Sequence, residues 1–135
     1  MPKDIAAFFD RYREAFNALD GDAVAQLYAE PSAIAQGGKF TYWPTRAPVR
    51  ENMAALCALY RERGYVRASY EPGHFLAQGP DHAIADLRWR IDWTSDQEPW
   101  EFNTTYNLVR GTEGWQVQVC TAYTEDKLHQ GSQPP

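Results

Sequence analysis

Residues 83 to 93 read AIADLRWRIDW and alternate in character along their whole length. Every odd-numbered position carries an apolar side chain, and every even-numbered position from 86 onward carries a charged one. This alternation is typical of a β-strand with one face against an apolar interior. The face that points inward therefore decides whether the fold encloses an apolar space or a charged one.

The cost of burying charge favours the apolar face. An inward charged face would bury four ions together, at several kcal/mol per ion before any pairing. Each large apolar side chain instead contributes roughly 1.5 to 3 kcal/mol when it is buried. We therefore expect Trp89, Ile91 and Trp93 to point inward. The alternative stays open, with Arg90 and Asp92 as an ion pair in the pocket and the tryptophans at an interface.

The rest of the C-terminal half continues the period of two. Three turn-like breaks, QGPD, SDQEP and GTEG, divide it into four predicted strands at about 65–77, 82–94, 99–110 and 115–124. Connections this short predict an antiparallel meander. One face of the third strand carries Trp100, Phe102, Thr104, Tyr106 and Leu108, and one face of the last carries Trp115, Val117, Val119, Thr121 and Tyr123.

The N-terminal half shows helical spacing instead. Apolar side chains at helical offsets from Ile5 lie on one stripe of a first helix, with Asp4 as its N-cap. In the break LDGD, Gly21 would end this helix in the left-handed conformation, and Asp22 would cap a short second helix that ends at Pro31. The inward face of that second helix would carry Val24, Leu27 and Tyr28.

Two short strands and a third helix complete the predicted elements. The stretch SAIAQGGKFTYW reads as two extended pieces around Gly37 and Gly38. The third helix begins near Pro48, which suits a first turn, and ends with Gly64. Helices followed by a long-stranded antiparallel sheet predict an α+β fold in which the helices cover one face of the sheet.

A twisted sheet wrapped around a long amphipathic helix forms a cone whose mouth can stay open. Aromatic side chains make up 14% of the chain, and they could either enclose a cavity or pack into a solid core. Both alternatives stay open. The pocket residues we predict are Tyr12, Phe16, Trp43, Trp89, Trp93, Phe102, Tyr106 and Tyr123.

Size and charge limit the class of protein. A chain of 135 residues suits one domain with a core, which we place at 1–128, followed by a flexible tail at 129–135. A net charge of -5 without a basic run argues against nucleic acid as a partner. The sequence shows neither an apolar run that could span a bilayer nor a secretory signal, so we expect a cytoplasmic protein without a membrane partner.

Cysteine and histidine give little sign of metal chemistry. Cys57 and Cys120 lie far apart in apolar surroundings and in no metal-binding spacing, which predicts buried free thiols and no cofactor. His74 is the one histidine well inside a predicted strand. A lone strand histidine is more often a surface or hydrogen-bonded residue than a catalytic base.

The order of these elements resembles that of the NTF2-like superfamily, which includes ketosteroid isomerases, scytalone dehydratases, limonene epoxide hydrolases and polyketide cyclases of the SnoaL kind. The stretches that carry the resemblance are RYREAFNALDGDAVAQLYAE at 11–30, PDHAIADLRW at 80–89 and YNLVRGTEGWQVQV at 106–119. The first is similar to the helix, Gly-Asp turn and helix that open these proteins, and the last to their closing strand pair. The resemblance implies a cone of three N-terminal helices on a strongly curved antiparallel sheet.

The catalytic residues of these enzymes are matched only in part. The resemblance places Tyr12 where ketosteroid isomerases hold a tyrosine that donates a hydrogen bond to a developing oxyanion. Their two aspartates would fall near Gln36 and Thr105, which cannot titrate. The RID at 90–92 is similar to the Arg-x-Asp of limonene epoxide hydrolases, without the second aspartate of those enzymes.

Two functions therefore remain as hypotheses. In the first, the protein is a small-molecule enzyme of the cyclase, isomerase or dehydratase type, with Tyr12 as the hydrogen-bond donor and a hydrophobic, cyclic substrate. In the second, it is a non-catalytic ligand-binding or dimerisation module. The resemblance implies a homodimer through the outer face of the sheet.

Overall fold

The computed structural model describes residues 1–94 and 96–124, so the predicted tail at 129–135 lies outside the described residues. The helices are α1 (Lys3–Asn17), α2 (Gly21–Ala25) and α3 (Arg46–Glu62). The strands are β1 (Tyr28–Gln36), β2 (Lys39–Trp43), β3 (Tyr65–Gln78), β4 (His82–Trp93), β5 (Trp100–Gly111) and β6 (Gly114–Tyr123). No described helix combines the length and the apolar character that crossing a membrane requires.

The six strands form one sheet in the order β2-β1-β6-β5-β4-β3. The predicted meander is present as β3 to β6, and the hairpin of β1 and β2 joins it through parallel pairing of β1 with β6. Register shifts interrupt the pairing of β1 with β6, of β3 with β4 and of β5 with β6. Such irregularities bend and twist a sheet, which gives this one its curvature.

Strand β4 points its apolar face inward, as predicted. Its odd-numbered side chains from Ala83 to Trp93 are all buried. On the opposite face Arg90 Nε donates to Asp92 Oδ1 at 3.0 Å, and Arg67 Nε donates to Asp92 Oδ2 at 3.3 Å. The alternative of an Arg90–Asp92 pair in the pocket is wrong, because on the outer face these ions stay paired and partly hydrated.

Helix α1 lies on the inner face of the sheet. Its ring contacts reach two neighbouring strands, with Phe9 centred 4.9 Å from Tyr106 and Tyr12 centred 6.0 Å from Trp89. Tyr70 on β3 also packs against Phe9, at 6.3 Å. One stripe of a single helix therefore covers β3, β4 and β5, as the spacing of its apolar residues predicts.

The two predicted N-caps are wrong. Helix α1 begins at Lys3, so Asp4 lies in its first turn, where Asp4 Oδ1 accepts from the N–H of Ile5 at 2.9 Å. Asp22 lies inside α2 and pairs with Arg50 of α3 at 2.7 Å. Both carboxylates still lie in the first turn of a helix, where negative charge is favourable.

Gly21 allows a close contact between helices rather than a left-handed turn. A Cβ at this position would lie 2.6 Å from the backbone nitrogen of Ala54, so only glycine lets α2 lie this close to α3. The left-handed residue is Leu19, with φ of 50°. The cap is Asp20, whose Oδ1 accepts from the N–H of Ala23 at 3.0 Å.

The second helix is shorter than predicted. It ends at Ala25, and Tyr28 begins β1 instead of lying on a helix. The N–H of Val117 on β6 donates to the carbonyl of Leu27 at 2.8 Å. Pairing with β6 thus takes up backbone groups that a longer helix would have used.

A bulge in β6 inverts the faces of the last strand. The pairing of β5 with β6 shifts at Gln118, and Val117 is buried before this point while Cys120 is buried after it. Because side chains alternate with a period of two, one extra residue moves those that follow to the opposite face. Tyr123 therefore points to the outer face, contrary to the prediction, and its hydroxyl donates to Asp86 Oδ1 at 2.7 Å.

Candidate functional site

A cavity of about 80 Å³ lies between α1, α3 and the inner face of the sheet. Both layers contribute to a largely apolar lining, which includes Phe16, Ile34, Leu56, Trp89, Ile91 and Phe102. A typical ligand cleft measures roughly 300 to 1,000 Å³, so this cavity suits only a small molecule.

Polar groups gather at one wall of the cavity. The hydroxyls of Tyr12 and Tyr28 lie 2.7 Å apart, and the Tyr28 hydroxyl lies 3.5 Å from Cys120 Sγ. Trp89 Nε1 donates to the hydroxyl of Tyr106 at 2.9 Å, and the Tyr106 ring lies 5.5 Å from that of Tyr12. We name Tyr12, Tyr28 and Tyr106 the phenol cluster. Its members come from α1, β1 and β5, so the cluster depends on the complete fold.

Burial keeps the phenol cluster neutral. Loss of hydration is the main cause that raises the pKa of Tyr12 and of Tyr28 well above the usual phenol value, and it also raises the pKa of Tyr106. Burial raises the pKa of the Cys120 thiol to about 11, with its hydrogen bond to Tyr28 acting in the opposite direction. At neutral pH these groups are protonated, so they can donate hydrogen bonds but cannot act as bases.

The described lining contains no group that titrates near neutral pH. No Asp, Glu or His is present among the cavity residues of the described chain. Within the same part of the chain, no three His, Cys, Asp or Glu side chains lie close enough together to hold a metal ion. The arrangement can therefore bind an apolar molecule and donate a hydrogen bond to an acceptor on it.

The structure brings together five of the eight predicted pocket residues. The five that line the cavity are Tyr12, Phe16, Trp89, Phe102 and Tyr106. Trp43 and Trp93 are buried behind the cavity wall, where Trp43 packs against Tyr28 at 6.2 Å and Trp93 against Trp100 at 4.7 Å. Tyr123 lies on the outer face because of the bulge in β6.

Two residues of the polar wall are absent from the predicted pocket for identifiable reasons. The sequence places Tyr28 on the second helix, because Pro31 resembles a helix end and β1 shows no clean alternation. Strict alternation in β6 places Cys120, although it is predicted to be buried, on the face opposite Val117, and only the bulge turns it toward the cavity. Both are now members of the polar wall, together with Tyr12.

The two residues that occupy the positions of the isomerase aspartates, Gln36 and Thr105, lie on opposite faces of the sheet. Gln36 lines the cavity, at the end of β1. Thr105 lies on the outer face, where its hydroxyl donates to Asp86 Oδ1 at 2.8 Å, and its neighbour Thr104 lines the cavity instead. Gln36 and Thr104, the two residues that line the cavity here, carry no carboxylate.

A comparison with known protein families identifies the family to which the chain belongs. Residues 3–125 match the model of the family described as NTF2-like protein (DUF6841). The chain belongs to this NTF2-like family, which confirms the resemblance found in the sequence. A comparison with proteins of curated function gave no match.

Solved structures share the same architecture. An NTF2-like protein of unknown function from Shewanella oneidensis MR-1 gives a TM-score of 0.72 at 20% identity, covering 88% of this chain and 95% of that one. An NTF2-like protein with a cystatin-like fold from Novosphingobium aromaticivorans gives 0.77 at 16% identity, covering 96% and 84%. A ketosteroid isomerase-like protein from Erwinia carotovora atroseptica gives 0.65 at 18%, covering 87% and 91%. These likenesses show the fold alone, and they confirm the predicted α+β, cystatin-like cone.

Proposed function

We propose that the protein binds a small, uncharged, mostly apolar molecule in the cavity, and that Tyr12 donates a hydrogen bond to an acceptor on it. The observation that carries this proposal is the neutral phenol cluster at one wall of an otherwise apolar space. Apolar walls with a few placed polar groups are the common design of small-molecule sites. A charged ligand would lose its hydration there without meeting an opposite charge.

The size of the cavity narrows the ligand class. A closed apolar cavity of about 150 Å³ can hold benzene, so a cavity of about 80 Å³ encloses only part of a small ring unless side chains move. Among the polar lining residues, Asn52 is exposed, and Gln36 and Tyr65 are half-buried. We place the opening beside Asn52 of α3 and Gln36 at the end of β1, where part of a ring could project. A small cyclic ketone meets these requirements.

The lining residues supply what ligand binding requires, but only part of what catalysis requires. A neutral phenol can stabilise a developing oxyanion through its hydrogen bond. Isomerases and cyclases of the SnoaL kind also need a group that moves a proton, and no described lining residue supplies one. The geometry thus supports ligand binding first, with polarisation of a carbonyl as the chemical step that Tyr12 could assist.

The proposal is tested by comparing two ligands of the same shape. Cyclopentanone carries a carbonyl acceptor, and methylenecyclopentane replaces that oxygen with carbon. We expect the wild-type protein to bind the ketone about tenfold more tightly in calorimetric titrations, because one hydrogen bond of ordinary strength separates the two. Equal affinity for both compounds, or no binding of either, would contradict the proposal.

A pair of tyrosine variants assigns the effect to one hydroxyl. Tyr12→Phe should remove the preference for the ketone. Tyr65→Phe is the matched control, because the Tyr65 ring lines the same cavity while its hydroxyl donates to Asn17 Oδ1 at 2.7 Å. Loss of the preference in Tyr65→Phe but not in Tyr12→Phe would exclude Tyr12 as the donor.

Dimerisation is the second candidate function, and an exposed aromatic pair on β2 favours it. Phe40 and Tyr42 are 64% and 60% exposed, and both lie on the outer face of an edge strand. Exposed rings on an unpaired edge are common where chains associate. In light scattering we expect a homodimer for the wild type and a monomer for the double variant Phe40→Ser, Tyr42→Ser. Leu76→Ser, on the opposite edge strand, should leave the dimer intact, and a monomeric wild type would end this proposal.

A further inference from the structure

A second recess, of about 300 Å³, opens on the outer face of the sheet. The residues that line it are His74, Phe75, Leu76, Ile84, Asp86, Thr105 and Tyr123. None of these residues also lines the inner cavity, because the sheet separates the two spaces. We name this space the outer recess.

Asp86 is a carboxylate held in a fixed orientation in the outer recess. Its Oδ1 accepts hydrogen bonds from the hydroxyls of Tyr123 at 2.7 Å and Thr105 at 2.8 Å. These donors come from β6 and β5, so two neighbouring strands hold the side chain of a half-buried residue on β4. Among the described residues, Asp86 Oδ2 accepts no hydrogen bond from another side chain. One carboxylate oxygen is thus saturated and the other is open to a donor.

The positive charges beside Asp86 are engaged elsewhere. On the same strand and face, Arg88 pairs with Glu101 at 3.7 Å and Arg90 pairs with Asp92 at 3.0 Å. In the described part of the chain, no lysine or arginine forms an ion pair with Asp86. A half-buried carboxylate that forms no ion pair within the described chain gains most from a ligand that brings a cation.

A bulge in β3 shapes the rim of the outer recess. The pairing of β3 with β4 shifts between Pro72 and Phe75, so Gly73 and His74 together lie opposite Asp86. A Cβ on Gly73 would lie 2.9 Å from the backbone oxygen of Asp86 and 3.2 Å from its Oδ2. Glycine at this position therefore lets the bulge lie directly beside the carboxylate.

We infer that the outer recess binds a small organic ammonium ion, with an N–H donating to Asp86 Oδ2 and an apolar body against Leu76 and Ile84. The carboxylate supplies the opposite charge, and the ring of Tyr123 supplies a wall that favours a cation. The volume of about 300 Å³ reaches the lower end of the range for ligand sites. This site is separate from the one proposed for the inner cavity.

Benzylamine and benzyl alcohol test the charge requirement, since they share a ring and differ in the ammonium group. We expect benzylamine to bind the wild type in the millimolar range, at least about tenfold more tightly than benzyl alcohol, with NMR shift changes confined to the outer face of β3, β4, β5 and the end of β6. Shift changes centred on the inner cavity, or equal affinity for both compounds, would overturn the proposal.

Two carboxylate variants locate the binding group. Asp86→Asn keeps the shape of the side chain and removes its charge, and it should weaken benzylamine binding at least about tenfold. Asp92→Asn is the matched control on the same strand and face, because Asp92 is already paired with Arg67 and Arg90. Unchanged binding in Asp86→Asn, or an equal loss in Asp92→Asn, would exclude Asp86 as the site.

A third variant keeps the test decisive if Asp86→Asn does not fold. Leu76 is 56% exposed and lines the outer recess, so Leu76→Lys should fold and place an ammonium group of the chain itself at the site. We expect benzylamine binding to fall at least about tenfold in this variant, with an unchanged unfolding temperature. Binding equal to that of the wild type would contradict the proposal.

Discussion

Tyr12 takes its chemical character from the groups around it. Its hydroxyl shares a hydrogen bond with Tyr28 at 2.7 Å inside a wall from which water is excluded, and burial favours the uncharged form of both phenols. A donor that stays protonated and fixed in place can recognise an oxygen acceptor over a wide pH range. This property distinguishes a binding site from an acid–base site, which needs a group that titrates near neutral pH.

Ligand affinity should therefore be independent of pH near neutrality. We expect the dissociation constant of cyclopentanone to vary less than about twofold from about pH 6 to about pH 9, because the raised pKa values keep the phenols and the Cys120 thiol protonated. Calorimetric titrations across this range make the measurement. A step in affinity near pH 6 to 7 would show that a histidine or carboxylate takes part, against this account.

Asp4 joins the start of α1 to the hairpin of β5 and β6. Trp115 Nε1 donates to Asp4 Oδ2 at 2.9 Å, and Arg110 lies 3.3 Å from the same oxygen. The hydrogen bond from Trp115 is the main cause that lowers the pKa of Asp4, and the N–H of Ile5 and the charge of Arg110 act in the same direction. The carboxylate therefore links sequence ends that lie far apart in the chain.

The contribution of Asp4 to stability should depend on pH in a defined direction. Because its pKa is lower in the folded state, the stabilisation is fully present above the unfolded value of about 3.9 and is lost as pH falls through the folded value. Urea unfolding should show Asp4→Asn less stable than the wild type at pH 7 and at pH 5, with the difference shrinking below about pH 4. Glu51→Gln, an exposed change on α3, is the control. A difference that grows on acidification would refute this role.

At the scale of elements, α2 and α3 meet at a point where no side chain fits. Gly21 provides this contact, since a Cβ there would lie within 2.8 Å of three backbone atoms of Met53 and Ala54. Backbone atoms cannot move aside as the end of a flexible side chain can. The short helix therefore depends on one glycine for its position against α3.

Gly21→Ala should lower the free energy of unfolding by about 1 to 3 kcal/mol, the usual cost of overpacking. Gly111→Ala is the matched control, because a Cβ at Gly111 would meet no heavy atom within 4 Å among the described residues. The control should change stability by less than about 0.5 kcal/mol. Urea denaturation of both variants makes the comparison, and equal stability of the two would mean that α2 moves freely against α3.

Some helices and strands can be predicted from the sequence, and others cannot. Strand β4 and helix α1 were predicted correctly, because their apolar periodicity is local and uninterrupted. The end of α2 and the inward turn of Cys120 depend on pairing between β1, β5 and β6, which lie far apart in the chain. Three pocket residues followed from strand alternation and two from helical spacing, whereas Tyr28 and Cys120 required knowledge of these partners.

At the scale of the whole molecule, one sheet separates two environments. The inner face and the helices enclose an apolar cavity with protonated donors, and the outer face carries charged side chains and the outer recess. The curvature that opens the cavity comes from bulges, and the same bulges set the positions of Tyr123 and His74. The same bulges therefore determine which side chains lie on each face of the sheet.

Filling the cavity should remove ligand binding without unfolding the protein. Leu56 of α3 lines the cavity and is half-buried, so Leu56→Phe should weaken cyclopentanone binding at least about tenfold by occupying its space. Leu59→Phe is the matched control, since Leu59 is half-buried on the same helix but is not a lining residue. Calorimetry measures affinity and thermal unfolding checks the fold. Equal affinities in both variants would place the ligand outside the cavity.

The most direct test of the central claim is a crystal structure of the protein with cyclopentanone. We expect the ketone to lie between Leu56, Phe102 and the phenol cluster, with its oxygen within hydrogen-bond distance of the Tyr12 hydroxyl. A ketone bound only on the outer face, or a cavity closed by its own rings at a saturating concentration of the ketone, would contradict it.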